Sequence, residues 1–500
     1  MAMLDSLRSF FVLACAGALA LSCSASSSDS GGMSGTGISQ GSISSFGSIF
    51  VNGVEWDIAD ARIELDGQSA SEADLRVGMV VRVEGDFSDD GASGDASRVS
   101  FDDQVEGPIE SAPVETIAGL EKSFSVLGTT VIARSDRTSF DDGASYAGLA
   151  QDQVVEVSGF VDSVGAIQAT RIELKGVFPG LDDVELRGRV ANLVKNPDGS
   201  GDFELGTIMV YYTNATSFSD TSRTSLANND LVEVDGRVRI GGDAVDAEEI
   251  EGENSGFGSD DADEAKVEGI VVLCVESPDY CVAGVPIDDS AAVFEPIGYV
   301  PMAGDRVEVE GRLENGVLRA ETVESEDADD EDRDVRIEAA VTSVDGVART
   351  LVILGVTISA DGNTVLEDDS DLGDENLSFS ELLPGQFLEI EAVSTGTSTA
   401  RALSIERDDA EAGDDDVRLE GPVTALDPIL PSISILGQPI PIDGDTEYRD
   451  ALDQLRSEEQ FFRNPGDVAL GDVVRARDQE ADDLSSLTEA DEVSIEGDGS

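Results

Sequence analysis

The sequence predicts an all-β chain built of tandem small antiparallel β-barrel (OB-like) modules joined by acidic linkers. Three observations lead there. A set of short motifs recurs six times in one order along 500 residues, and a long-period repeat makes each copy one structural unit. The strongest of these motifs alternates apolar and charged residues, the period-two pattern of a half-buried strand. Only 40% of the residues are hydrophobic and 5% aromatic, which suits many small cores better than one large core.

Each copy opens with a short strand around a small residue, as in VEGPIES, LRGRVAN and LEGPVTA, with anchors at Gly41, Gly107, Gly188, Gly269, Ala339 and Gly421. An apolar hairpin comes second, with its glycine at 53, 128, 206, 284, 355 and 437. Asn52-Gly53 is a strong two-residue turn signal because both residues tolerate positive φ. Where Leu or Ala precedes the glycine, a type II turn or a glycine bulge is the better expectation. Next comes a Thr-x-aromatic step at Thr138, Thr216 and Thr446, with Leu366 in place of the aromatic in the fifth copy. The fourth element reads GMVVRVEG, QDQVVEVSG, NDLVEVDG, GDRVEVEG, GQFLEIEA and GDVVRARD. Its alternation sets Val307 and Val309 on an inner face and Glu308 and Glu310 on an outer, solvated one. A closing Ala-x-x-apolar strand completes each copy, as in ATRIE at 169–173 and RAETVE at 319–324.

Five or six short strands in so few residues bury little on a flat sheet, so closure into a small barrel removes the exposed edges. The motif order resembles the bacterial envelope family known as domain of unknown function 5666, over nearly everything from Gly41 to Gly497. That resemblance implies a secreted small-barrel module with no established activity, and it carries over no catalytic or binding residue. The expected organisation is a signal peptide at 1–22 and a Ser/Gly-rich tether at 23–39. Modules occupy 40–103, 104–178, 183–253, 265–325, 334–407 and 417–500, with acidic linkers at 254–264, 326–333 and 408–416. The linkers are too polar to pack and self-repel, so they should behave as solvated spacers with few contacts across them.

The N-terminus carries Arg8 and then an apolar run from Phe10 to Leu21, the length of a signal-peptide core and too short to span a bilayer. Ser22-Cys23-Ser24 and a Ser/Gly string come next, which resembles a bacterial lipoprotein signal with Cys23 as the lipid attachment site. Cys15 is the rival position, but its apolar run is too short. Ser24 resembles the outer-membrane sorting pattern, so the expected address is the cell envelope, as an outer-membrane lipoprotein facing the periplasm or the surface. With Cys23 acylated and Cys15 removed, Cys274 and Cys281 remain, and an even pair in an oxidising compartment reads as a disulfide.

The net charge of −74 repels polyphosphate and argues against nucleic acid or a bare anionic membrane surface as a partner. The chain has no histidine, which removes most triads and ordinary zinc sites. No catalytic residue stands out, and a non-enzymatic binding or structural array is expected. A calcium-dependent adhesion or matrix protein is the alternative, with a carboxylate-based hydrolase third. No cofactor is expected beyond weak calcium. The runs Asp260–Glu264 and Glu326–Asp332 lack EF-hand order, so diffuse screening is favoured over a defined metal site. The partner is an unidentified envelope or extracellular ligand, with membrane contact through the lipid alone. The anchor makes a direct prediction: the chain fractionates with membranes, and Cys23→Ser releases it. Wild-type protein that stays soluble after signal cleavage contradicts this.

Overall fold

The computed structural model describes residues 36–88, 91–179, 183–239, 244–253, 257, 261–274, 280–326, 333–374, 376–413, 415–463 and 468–496. The signal segment, Cys23 and most of the tether lie outside these residues. The regular structure of the described chain is almost entirely strand, as the alternating motifs predict.

The third module shows the plan. Its opening strand Asp183–Lys195 pairs antiparallel with Gly201–Leu205, which pairs with Ile208–Tyr212. That third strand lies parallel to the closing strand Ala244–Glu253, which pairs with Leu231–Val238, and this last strand returns to the opening strand. The ring of five strands is therefore closed, and no edge is left to aggregate. The first and fourth modules close through the same order of pairings. Inward residues of the alternating strand, such as Val307 and Val309, are fully buried.

The repeated residues are accounted for by this closure. At the end of the alternating strand in the second, third and fourth modules the register slips by one residue against the closing strand, between Ser158 and Gly159, Asp235 and Gly236, and Glu310 and Gly311. A Cβ on Gly311 would lie 2.0 Å from the carbonyl oxygen of Arg319 and 3.0 Å from Cα of Ala320. The bulge thus admits only small residues, glycine in these three modules and Ala392 in the fifth, with a small residue opposite, and the closing-strand alanine is that residue. The repeated threonine fixes the same place: the hydroxyls of Thr138, Thr216 and Thr364 donate to the carbonyls of Ala169, Ala247 and Ala402 at 2.8, 2.8 and 2.9 Å.

The hairpin turns depart from the expectation. Leu127 and Gly128, Ala283 and Gly284, Leu354 and Gly355, and Leu436 and Gly437 all have positive φ at both positions, the signature of type I′. Packing outweighs the local cost. Leu127 and Leu436 are buried and lie over the opening strand, where a Cβ on Gly107 or Gly421 would come within 2.8 or 2.7 Å of them. The turn leucine and the opening glycine are thus two halves of one contact.

The modules are not isolated beads, which corrects the expectation of few contacts across the spacers. The first and fourth share a sheet through Thr36–Ser45 and Ala262–Val272, the second and third through Val105–Pro108 and Asp183–Lys195, and the fifth and sixth through Val335–Ala340 and Val417–Asp427. The cores of the second and third modules merge, as do those of the fifth and sixth. The spacers take part because their polar groups find partners. Gly413 and Ala481 are joined by a backbone bond of 2.8 Å, and the Asp416 carboxylate accepts from Glu480 N–H at 3.0 Å and pairs with Arg477. Phe257, inside the 254–264 segment, is buried in the fourth core, 5.3 Å beneath the Arg82 guanidinium.

The bulge predicts that Gly311→Ala destabilises the fourth module by about 1–3 kcal/mol, while Arg312→Ala, at the exposed next position, changes little. Urea unfolding of the two variants checks this, and equal small effects would contradict it.

Candidate functional site

The outer face of each barrel carries a row of residues directly opposite one another on four strands. In the second module the row is Glu106, Glu156, Glu173 and Asp141; in the fourth it is Glu268, Glu308, Glu324 and Glu295; in the fifth it is Glu338, Glu389, Glu406 and Glu367. The third module places Arg187, Glu233, Glu251 and Ser219 there. The first and sixth have Gln40, Arg82, Ser100 and Glu64, and Glu420, Arg475, Ser494 and Arg449. Like charges directly opposite across strands repel, so the three fully acidic rows require compensation.

The compensation differs between rows. In the fourth module Lys266 lies 3.6 Å from Glu308 and 3.3 Å from Glu310, while Arg306 pairs with Glu268, which also accepts from the Ser42 backbone at 2.9 Å. In the fifth, Arg336 reaches Glu338 at 3.1 Å and pairs with Glu389, and Arg418 of the sixth module reaches Glu338 at 3.0 Å. In the second, Lys175 bridges Glu156 and Glu173 at 2.8 and 2.9 Å, and Arg171 holds Asp141 at 2.6 Å. Glu308, expected on a solvated face, is instead buried, because that face is turned toward the other modules.

Burial leaves its mark on these acids. It pushes Glu308 up to about 7 against the pull of Lys266. Burial and the neighbouring Glu367 and Glu389 push Glu406 up to about 8. At the join of the first three modules burial raises Glu106 and Asp66 to about 7 and Glu185 to about 10, and it holds Asp103 well above the usual carboxylate range.

Two concave features lie among these faces. A cavity of about 180 Å³ forms where the first, second, fourth and fifth modules meet, and Arg306, Arg333, Arg401, Glu367, Glu389 and Glu406 are among its lining. A larger cleft of about 1580 Å³ draws its walls from the first four modules, with Phe160, Val164 and Leu273 set among Arg82, Arg98, Arg187 and Asp102. Val164 and Leu273 are 86% and 75% exposed, an apolar element within a charged surface.

Of the residues singled out in the sequence, Cys23 lies outside the described residues. Cys274 and Cys281 are joined as a disulfide, with Cα atoms 5.5 Å apart. Trp56 is fully buried, edge-on to Phe87 at 4.8 Å, so it serves the first core. Asp260 and Asp327 to Asp332 lie outside the described residues, and Asp261 accepts from the Asn315 N–H at 2.6 Å. The acidic rows leave no mark in the sequence, because a glutamate alternating with valine looks the same whether its face meets water or another module.

The family model for the domain of unknown function (DUF5666) matches residues 38–100, 106–173, 187–251, 283–324, 338–406 and 420–488. The chain is a tandem-repeat protein of the DUF5666 family. Among solved structures it is similar to "drosophila Unr CSD456", from Drosophila, at 15% identity over 45% of this chain and 96% of that one, with a TM-score of 0.12. No curated protein matches it.

The raised acid in the fifth module sets a pH dependence. Glu406 rises from the ordinary glutamate value of 4.5 to about 8 in the fold, so folding takes up a proton between those values. The stability from this carboxyl is complete below about 4.5 and is lost as the pH rises through about 8. Thermal unfolding should show Tm falling from pH 6 to pH 9, with Glu406→Gln melting about 2–4 °C above wild type at pH 9. Equal pH slopes for the two proteins would refute the assignment.

Proposed function

We propose that this chain is a non-enzymatic, lipid-anchored repeat array of the cell envelope that offers one wide cleft to an envelope or extracellular ligand. One observation carries the reading. The residues that recur from copy to copy, the bulge glycine and its alanine, the threonine and the turn leucine, are engaged in closing barrels, whereas the wide cleft is assembled once from four modules. Repetition thus serves construction, and the binding face belongs to the assembly. The lipid at Cys23 supplies the only membrane contact in this reading, and a charge of −74 turns polyphosphate away. A calcium-dependent adhesion role is the second reading, supported by the three acidic rows.

A photo-crosslinking residue tests the proposal. Placed at Val164 or Leu273 inside the cleft in intact cells, it should form a discrete adduct with an envelope component. At Val347, 99% exposed and outside the cleft, it should not. Identical adduct patterns from both places would overturn the assignment of the cleft.

A further inference from the structure

The acidic row of the second module continues into the junction with the first and third modules. Asp103 lies in the connection between Ser93–Phe101 and Val105–Pro108, and its backbone N–H donates to Asp66 Oδ1 at 3.2 Å. One carboxylate oxygen each from Asp103, Glu106 and Glu156 lie within 4.8 Å of one another. Glu185 of the third module stands directly across the strand pair from Glu106.

The charges here are not balanced as they are elsewhere. Lys175 approaches from one side only, at 2.8 Å from Glu156 and 2.9 Å from Glu173. Asp103 is 2% exposed; its Oδ1 and Oε1 of Glu185 meet no N–H or hydroxyl donor, and the two carboxyl groups face each other within hydrogen-bond reach, so only a shared proton or a cation can join them. By contrast the matching pair in the fourth module, Glu268 and Glu308, has both Arg306 and Lys266. A buried carboxylate oxygen with no donor is costly unless something positive meets it.

We infer that Asp103, Glu106 and Glu156, with Glu185 beside them, form a site for a divalent cation of the calcium type that ties the second module to the first and third. The donors are all oxygen, and a chain without histidine excludes the softer metals that imidazole favours. Calcium–oxygen bonds of about 2.3–2.6 Å put opposite ligands about 4.6–5.2 Å apart, and the observed span fits inside that shell. The site is distinct from the acidic runs at 260–264 and 326–332, and it does not depend on the cleft having a ligand.

Calorimetric titration of the metal-stripped full chain with calcium chloride in 150 mM sodium chloride tests this. One saturable site is expected, and calcium at about ten millimolar should raise Tm by roughly 3–8 °C. Glu106→Gln, on a half-buried side chain, should weaken that site at least tenfold, as should Asp103→Asn, while Glu310→Gln in the fourth module should leave it unchanged. Folding of each variant is followed by circular dichroism. If Asp103→Asn does not fold, Glu106→Gln alone decides. Absence of a saturable site in the wild type, or equal loss in Glu310→Gln and Glu106→Gln, would overturn the inference, the first by leaving the acids to share protons and the second by making the binding diffuse.

Discussion

The opposition of glutamate to glutamate across the strands on the outer faces of the barrels governs how the six modules assemble. Inside each barrel, valines and isoleucines pack without conflict, and closure satisfies the backbone. Outside, three modules present four carboxylates in a line, and such rows face solvent cheaply but pack together only when something neutralises them. An arginine drawn from another module does part of this, since Arg418 of the sixth reaches Glu338 of the fifth at 3.0 Å. The first and sixth modules carry Arg82 and Arg475 at the place where the acidic rows have a central glutamate. Divergence among the copies at that one position therefore sets which faces can meet.

The first module is the hub of that arrangement. Its Ser42 backbone binds Glu268 of the fourth at 2.9 Å, the carbonyl of its Gly78 accepts from Thr170 of the second at 2.6 Å, and its Ser44 donates to Gly362 of the fifth at 2.6 Å. The contacts are polar and specific, and they hold faces that a purely apolar surface would hold without register. Both the large cleft and the smaller cavity are products of this packing, since each takes walls from four modules.

Much of the fold is legible in the sequence because barrel closure leaves local traces. Alternation alone places Val307 and Val309 in the core, the six anchors mark the copies, and the expected pairing of Cys274 with Cys281 is met. The turn type is not legible, because a leucine with positive φ is locally unfavourable, and only the glycine of another strand explains why it is tolerated. The acidic rows are hidden for a different reason. Nothing within GDRVEVEG distinguishes a solvated glutamate from one facing a neighbouring module, because the distinction lies in residues hundreds of positions away, such as Ser42 against Glu268. The spacers mislead in the same way: their acidity suggests free chain, whereas Asp416 and Phe257 are engaged with the modules beside them.

Small-angle X-ray scattering on residues 35–500 at neutral pH tests most directly whether these charged faces are packed against one another. A single particle of that length has a radius of gyration of about 23 Å, and packed faces predict a value near it with one maximum in the distance distribution. A radius roughly double that, with the modulated distribution of separate globules on a string, would mean that the acidic rows face solvent and that the modules do not assemble through them.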